Sequence, residues 1–438
     1  MQNGTRSQVT SCVPPQFAIP WGSSPTVQYN RAKVRFLAVL LALCILSHAA
    51  DSVQDLEERG TALKAKGDAA GALVVYRQAA DLDPKSAHLQ DQVGFLLAVL
   101  NRREEAIQSF QRSLDLDPKF APAQYHLGAI YWLQKNPGLS IPHLQSAAAL
   151  APGNFEYQYK LGETLRSQGQ DAEALPHLRA AVAAAGRRWE AWNTLGMVFQ
   201  NTGDLGAAVD AYQHAVDLNP ADPDARNNLG TMLVKTRRPD EGIAQFQKIL
   251  DADPSYNMAR VNWGFACIQK GDLDQAVAQL REAIRREPDL AGAHYDLGVA
   301  LKNKDDIEAA QAELRRALEL DPAMAEAHYT LGIAYWQTGA FDPAAKEMQA
   351  AIALRPDYAQ AYFMLGTALK QKGDRPGAEA ALRTAIRLDP GDPGPYNTLG
   401  QLLRQKGDLE GSKDAFSKGA HVREVKEAEL GKMLQRRE

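Results

Sequence analysis

The sequence has few of the residues that build metal centres or disulfide frameworks. Its 438 residues include three cysteines and nine histidines. The histidines are spread along the chain, with no pair at metal-ligand spacing and no cysteine partners, so we predict no metal site. Cys267 is the one cysteine outside the first 50 residues, which excludes an internal disulfide once those residues are removed. We interpret Cys267 as a small buried hydrophobic residue.

Catalytic motifs are also missing. We find no phosphate-binding glycine loop, no serine at a nucleophile elbow and no thiol with a plausible base. Carboxylates are abundant, but runs such as Asp81-Leu82-Asp83-Pro84 recur at one phase of a repeat, which indicates a role in turns. The sequence therefore predicts a protein that is not an enzyme and that binds no cofactor.

An excess of basic residues is lacking as well. The chain has 49 Lys and Arg against 53 Asp and Glu, a formal net charge of −4. Residues 1–50 contain four basic residues and no acidic ones, so the rest of the chain has 45 basic and 53 acidic residues and a net charge of −8. Nucleic-acid binding is typical of basic surfaces, and we expect no nucleic-acid partner.

The sequence does contain a strict period. Glycine recurs every 34 residues without a slip, and proline follows at the same spacing, with Gly186 in one of its places. Glycine inside a helix costs about 1 kcal/mol relative to alanine, so its recurrence predicts a helix contact where no side chain fits. Proline ends helices. The glycines are Gly60, Gly94, Gly128, Gly162, Gly196, Gly230, Gly264, Gly298, Gly332, Gly366 and Gly400, and the prolines are Pro84, Pro118, Pro152, Pro220, Pro254, Pro288, Pro322, Pro356 and Pro390.

The period defines eleven units of 34 residues. Position 20 of the unit is always small, and position 27 is small in ten units, with Ile249 as the exception. At about 100° per residue, positions 4, 7, 8 and 11 share one face of a first helix, and positions 20, 24 and 27 share one face of a second. Each unit is therefore predicted to be a helical hairpin in a stacked array. The units start at 53, 87, 121, 155, 189, 223, 257, 291, 325, 359 and 393.

The turn between the two helices lies at position 15. It is glycine in seven units, and Asn101 and Asp305 occupy it in two others. These residues tolerate the left-handed backbone conformation that terminates a helix. Lys135 and Arg237 stand there in the remaining two units, and we expect those two turns to differ from the rest.

The fifth unit carries Trp192, Leu195, Gly196, Phe199, Ala208, Tyr212 and Pro220 in this order. The pattern resembles the consensus of the tetratricopeptide repeat (TPR) family. The resemblance implies an all-α fold, a right-handed α-solenoid (superhelix) of helix-turn-helix units, over residues 51–426. It also implies that the first helices line a concave groove that holds peptides or partner proteins. We predict one elongated domain, because a solenoid grows by adding units to a continuous core.

Candidate binding residues follow from the groove side of the first helices. Positions 2, 5, 9, 12 and 13 lie about 130° around the helix from the buried face, and in the family this side lines the groove. Aromatic residues dominate position 5. Rings offer apolar area, and asparagine can pair both the N–H and the C=O of an extended peptide. The candidates are Phe95, Tyr125, Trp132, Tyr159, Asn193, Met197, Asn227, Asn228, Asn262, Phe265, Tyr295, Tyr329, Ile333, Trp336, Phe363 and Asn397.

Three narrower interpretations of these residues can be compared. Asn193, Asn227, Asn228 and Asn262 resemble part of the asparagine ladder in the solenoid of O-linked N-acetylglucosamine transferase, which holds peptide backbone. The carboxylate clamp that captures chaperone tails needs Lys at position 5 and Asn at position 9, and no unit has either. The position-5 tyrosines also fit a purely structural role, in which they fill contacts between neighbouring units.

The first 50 residues are predicted to be a leader with a signal peptide. Arg31, Lys33 and Arg35 precede an apolar run at 36–46, and small residues follow at 49 and 50. This is the order of a secretory signal, and the run is shorter than the ~20 residues that span a bilayer. We expect cleavage after residue 49 or 50, a periplasmic or secreted protein, and no stable membrane insertion. An uncleaved signal anchor is the alternative.

Two further expectations concern this leader. Cys44 fits a lipoprotein signal poorly, because Leu43 stands where a small residue is needed. Residues 1–30 carry Arg6 as their one charged residue, which is unusual before a signal peptide. We therefore expect translation to start near Val34.

Residues 421–438 are predicted to be a capping helix and tail. The eleventh unit has no proline at position 32, and Val422, Val425, Leu430, Met433 and Leu434 form an apolar stripe among charged residues. A solenoid needs an end piece with a polar outer face to cover its last packing surface.

The sequence thus predicts a non-catalytic bacterial scaffold that binds peptide segments or partner proteins along its concave groove. Envelope assembly, secretion and polysaccharide export are the settings that the resemblance suggests. The alternative is an accessory subunit that recruits substrate for a separate enzyme such as a glycosyltransferase.

Overall fold

The computed structural model describes residues 52–435, except for the side chains at 430, 431 and 433–435. The predicted leader, with its apolar run at 36–46 and its cleavage site, lies outside the described residues. So does the end of the chain after residue 435.

The described residues form 22 α-helices and no β-strand. The helices alternate between a first and a second helix of each repeat, and every first helix begins at position 1 of its unit. The predicted all-α hairpin architecture is confirmed. The helices are α1 Val53–Ala65, α2 Ala69–Leu82, α3 Ala87–Val99, α4 Arg103–Leu116, α5 Ala121–Leu133, α6 Pro137–Leu150, α7 Phe155–Ser167, α8 Asp171–Ala184, α9 Trp189–Asn201, α10 Leu205–Leu218, α11 Pro223–Lys235, α12 Pro239–Ala252, α13 Asn257–Lys270, α14 Leu273–Arg286, α15 Ala291–Asn303, α16 Ile307–Leu320, α17 Ala325–Gln337, α18 Phe341–Leu354, α19 Ala359–Lys372, α20 Arg375–Leu388, α21 Pro393–Gln405 and α22 Leu409–Gln435.

The helices belong to two compact units, with the boundary between Phe120 and Ala121. The first unit contains α1 to α4, which are repeats one and two. The second contains α5 to α22, which are repeats three to eleven. Nothing in the period of the sequence marks this boundary, since the 34-residue spacing runs through it unchanged.

The glycine at position 8 lies against the side chain at position 24 of the same hairpin. A Cβ atom at Gly298 would lie 2.6 Å from Leu314 Cγ, and one at Gly196 would lie 2.7 Å from the ring of Tyr212. Ten of the eleven glycines have such a contact under 3.0 Å, and at Gly400 it is 3.0 Å. The predicted contact where no side chain fits is confirmed, because the large residue at position 24 fills that space.

The turns at position 15 share one backbone conformation. The seven glycines have φ between 73° and 86°, and Asn101 and Asp305 have φ of 60° and 65°. The expectation that the turns at Lys135 and Arg237 differ is wrong, since their φ values are 56° and 63°. Helix packing on both sides of the turn imposes the left-handed conformation there, at about 1–2 kcal/mol for a residue with a Cβ.

The side chain at position 4 links three segments of the stack in the second unit. His294 places Nδ1 2.6 Å from Glu313 Oε2 on the second helix and Nε2 2.9 Å from the carbonyl oxygen of Pro288, at the end of the preceding repeat. Arg226 donates to Gln245 and to the Pro220 carbonyl in the same way. Position 4 therefore has a structural role, and its histidines join neighbouring repeats through hydrogen bonds.

The predicted capping segment continues the last hairpin. The second helix of repeat eleven runs without a break to Gln435, because no proline stands at position 32 to end it. Val425 is exposed. Among residues 52–435, no helix combines the length and the apolar character that a membrane span requires.

Candidate peptide-binding surface

The first helices of the second unit lie on the concave side of their stack. First helices of neighbouring repeats approach within 8 Å between Cα atoms from repeat three to five and from repeat six to eleven, and a hydrogen bond between Asn228 and Asn193 joins those of repeats five and six. Second helices do not approach one another to the same extent. We call the surface formed by positions 5, 6, 9 and 12 of the first helices in repeats three to eleven the inner surface.

All sixteen predicted binding residues have half-buried side chains. Fifteen of them belong to the inner surface, on α5, α7, α9, α11, α13, α15, α17, α19 and α21. Phe95 belongs to the first unit instead, where Lys64 Nζ lies 5.1 Å from the centre of its ring. The structure thus places fifteen of the predicted residues on one face.

The aromatic residues near the start of the inner surface contact their neighbours in the stack. The rings of Tyr125 and Tyr157 have centroids 4.8 Å apart. The hydroxyl of Tyr159 lies 3.4 Å from Thr194 Oγ1 of the next repeat. The position-5 tyrosines therefore do pack between repeats, as the structural interpretation expects, and still expose part of each ring.

The tyrosines of repeats eight and nine behave in the same way. Tyr295 and Thr330 stand at the same repeat positions as Tyr159 and Thr194, and Tyr329 packs against Tyr358 in a tilted arrangement with ring centroids 4.9 Å apart. Burial raises the pKa of Tyr295 and that of Tyr329, so both hydroxyls stay neutral at physiological pH. Each ring offers an apolar edge to the inner surface.

The asparagines of the middle repeats pair with one another across repeat boundaries. Asn228 Nδ2 donates to Asn193 Oδ1 at 3.2 Å. Asn262 Nδ2 donates to Asn227 Oδ1 at 2.9 Å and to Thr231 Oγ1 at 3.4 Å. An amide pair of this kind uses one donor and one acceptor and leaves another donor and acceptor on the pair. The asparagine side chains therefore already use part of their hydrogen-bonding capacity within the protein.

The two tryptophans at position 12 differ in their surroundings. Lys160 Nζ lies 4.1 Å from the centre of the Trp132 ring, and it also donates to Glu163 at 2.6 Å. Trp336 packs at the edge of the core of repeats nine to eleven, and its Nε1 is buried without a hydrogen-bond acceptor. Trp132 is thus covered by a cation, whereas no cation within residues 52–435 lies over the ring of Trp336.

The remaining predicted residues border the apolar core. Met197, Phe265, Ile333 and Phe363 are partly buried hydrophobic side chains that pack against core clusters. Asn397 lies in repeat eleven, near Gly419 of α22. Together they make most of the inner surface apolar or neutral.

Asp296 is a further residue of this surface that the sequence analysis did not single out. It stands at position 6 of repeat eight, on α15, and is half-buried. No hydrogen bond or ion pair joins it to another of residues 52–435, and burial raises the pKa of its carboxyl to about 7. Position 6 was not among the predicted groove positions apart from two asparagines, although the isolated charge was visible in the aligned repeats.

Tandem family models match the chain over these repeats. A model described as Tetratricopeptide repeat matches residues 136–188, 159–223, 193–257, 329–393 and 363–421. A second, described as TPR repeat, matches residues 96–135, 264–305 and 303–339. The chain is a tetratricopeptide repeat protein.

Solved structures share this fold. The crystal structure of the APC/C hetero-tetramer Cut9-Hcn1 holds a chain with 12% identity and a TM-score of 0.50, and the match covers 85% of this TPR protein and 94% of that chain. A tetratricopeptide repeat protein from Parabacteroides merdae has 15% identity and a TM-score of 0.50, over 57% of this chain and 98% of its own. Both likenesses concern the fold alone.

Another match is to MamA, with 28% identity and a TM-score of 0.36, over 38% of this chain and 96% of that chain. No curated protein sequence gives a significant match.

Among residues 52–435 of the TPR protein, no group of three or more His, Cys, Asp and Glu side chains is placed to hold a metal ion.

Proposed function

We propose that this TPR protein is a non-catalytic scaffold that binds an extended peptide segment of a partner protein along its inner surface. One observation carries the proposal: fifteen half-buried aromatic, aliphatic and amide side chains line one concave face. Aromatic anchors that are partly desolvated before binding supply most of the energy in protein interfaces. Exposed amides can pair with the polar backbone of an extended chain.

The cellular setting is part of the same proposal. The basic residues and apolar run before residue 50 direct the protein to the periplasm or out of the cell, where it acts in envelope assembly, secretion or export. A scaffold of this kind needs no cofactor, because each partner supplies its own activity.

The proposal is tested with variants of the inner surface. Phe265→Ala and Trp336→Ala are chosen because Tyr295 and Tyr329 also join repeats. Each should weaken binding to capped ten-residue peptides, identified on an array with the unaltered protein, at least about fivefold, or roughly 1 kcal/mol per anchor. Fluorescence anisotropy measures this loss, and circular dichroism checks that the helices remain.

The matched control is Leu354→Ala, which removes an exposed apolar side chain at the end of a second helix. It should leave peptide affinity unchanged, because this position lies away from the inner surface. Equal losses for all three variants, or no loss for Phe265→Ala and Trp336→Ala, would contradict the proposed binding surface.

A further inference from the structure

Positions 5, 6 and 9 of the inner surface carry very little charge in repeats five to eleven. Positions 5, 6 and 9 of these seven repeats comprise 21 side chains, and Asp296 is the one among them that is an Asp, Glu, Lys or Arg. The others are aromatic, aliphatic, amide or hydroxyl side chains. A single carboxylate therefore stands among neutral side chains at these three positions, while the charged residues at position 12 of these repeats, Lys302, Lys370 and Arg404, are all basic.

Elsewhere on this surface, the side chain at position 6 bonds the preceding repeat. Asn228 and Asn262 each bond the asparagine at position 5 of the preceding repeat. Thr194 at position 6 likewise lies 3.4 Å from the hydroxyl of Tyr159 at position 5 of the preceding repeat. At Asp296 the corresponding residue is Val261, which has no polar group in its side chain. The hydrogen bond between positions 6 and 5 that joins other repeats is therefore absent between Asp296 and Val261.

The register of the stack also explains why water solvates Asp296 poorly. Position 6 meets positions 5 and 9 of the preceding repeat in the contacts of Asn262, and position 12 in the contact between Lys160 and Trp132. The residues at these positions before Asp296 are Val261, Phe265 and Ile268. An unpaired carboxylate among apolar side chains costs free energy unless a cation or donors satisfy it.

Charged groups on the helices around Asp296 leave it without a counterion. On α15, Lys302 makes no ion pair with any described residue, and burial lowers its pKa. On α17, Glu326 is held by Arg355. Inner positions of α13 carry no charge. On the two second helices packed on α15, Arg285 and Arg286 of α14 pair with Glu282, and Arg316 of α16 pairs with Asp289 and Glu319.

We infer that the inner surface selects a peptide segment with a lysine or arginine between apolar residues, and that Asp296 receives its cationic group. The inference rests on the proposed peptide-binding function. Charge complementarity favours this occupant, because a buried cation and the unpaired carboxylate satisfy each other. The exposed parts of Tyr295 and Tyr329 and the side chain of Phe265 provide apolar and π surface for the stem and the flanking residues.

The experiment uses the full chain and three capped, fluorescein-labelled ten-residue peptides that are identical except at the central residue. That residue is arginine, citrulline or glutamate, between alternating leucine and serine. Citrulline keeps the shape of arginine and removes its charge. At pH 8 the arginine peptide should bind at least tenfold more tightly than the citrulline peptide, and the glutamate peptide should bind most weakly.

Asp296→Asn should reduce the ratio between the arginine and citrulline peptides to less than twofold while leaving the affinity for the citrulline peptide unchanged. Glu326→Gln is the matched control, since it removes a carboxylate that is already paired, and it should keep the tenfold ratio. The ratio should also fall between pH 8 and pH 6, because Asp296 takes up a proton at about pH 7.

Equal affinity for the arginine and citrulline peptides would overturn the inference but leave the proposed function standing. The inference also fails if Asp296→Asn retains the ratio. Absence of binding for all three peptides, together with absence of any binding peptide on the array, would overturn the proposed function as well.

Discussion

Gly298→Leu is expected to open the hairpin of repeat eight, with a loss of about 3 kcal/mol or more in its free energy of unfolding. A Cβ at this position would already lie 2.6 Å from Leu314 Cγ, 2.9 Å from Leu314 Cδ2 and 3.3 Å from the carbonyl oxygen of Ala310. The side chain of Leu314 is fully buried and has nowhere to move. A leucine adds three carbon atoms beyond Cβ, and these must push α15 away from α16.

The control for this prediction lies on the same helix. A Cβ at Gly292 would meet nothing within 4 Å, so Gly292→Leu should be neutral or stabilising by up to about 1 kcal/mol through helix propensity. Hydrogen exchange at the amides of α15 and α16 reports the local free energy, which suits a repeat array better than one global transition. Equal hydrogen-exchange protection in Gly298→Leu and Gly292→Leu would refute the explanation that glycine recurs every 34 residues because no side chain fits there.

Asp296→Asn should stabilise the protein at pH 8 and change little at pH 4. The carboxyl of Asp296 has a pKa of about 7 in the folded protein because of burial, against about 4 in an unfolded chain. Between these values the folded state binds the extra proton, so wild-type stability falls as pH rises and the loss is complete above pH 7. We expect the asparagine variant to be roughly 2 to 3 kcal/mol more stable at pH 8, less than the full shift implies because the side chain is partly exposed.

Measurement of local opening free energies by hydrogen exchange in α15, with both proteins compared at the same pH, checks this prediction. Glu308→Gln is the control, because it replaces an exposed carboxylate in the same repeat, and it should stabilise the protein at pH 8 much less than Asp296→Asn does. A constant difference between Asp296→Asn and the wild type from pH 4 to pH 8 would show that Asp296 is not buried as described. The expected gain would mark Asp296 as a residue that lowers stability at the inner surface.

Most of the fold could be predicted from the sequence because the repeats constrain one another. The glycine at position 8 and the proline at position 32 fix where each hairpin packs and where each second helix ends. Lys135 and Arg237 could not be interpreted correctly from residue type alone. Their left-handed φ values are imposed by the packed helices on either side, which outweigh the local preference of a residue with a Cβ.

The candidate surface was predicted in outline, and its detailed contacts were not. A helical wheel places Asn227 and Tyr159 on the groove side, but it cannot show that each also forms a hydrogen bond with the next repeat. Asp296 was missed because its importance depends on Val261, which stands 35 residues earlier in the sequence and lies in the neighbouring repeat. The role of His294 was missed for the same reason, since its partners Glu313 and Pro288 come from two other segments.

The central claim is that a peptide lies on the first helices of the second unit. Site-specific photo-crosslinking tests it most directly, with p-benzoylphenylalanine in place of Val299 on the inner surface or of Glu308 on the exposed second helix. A peptide that the unaltered protein binds on the array should crosslink through position 299 and not through position 308. Crosslinking through position 308, with none through position 299, would contradict the claim.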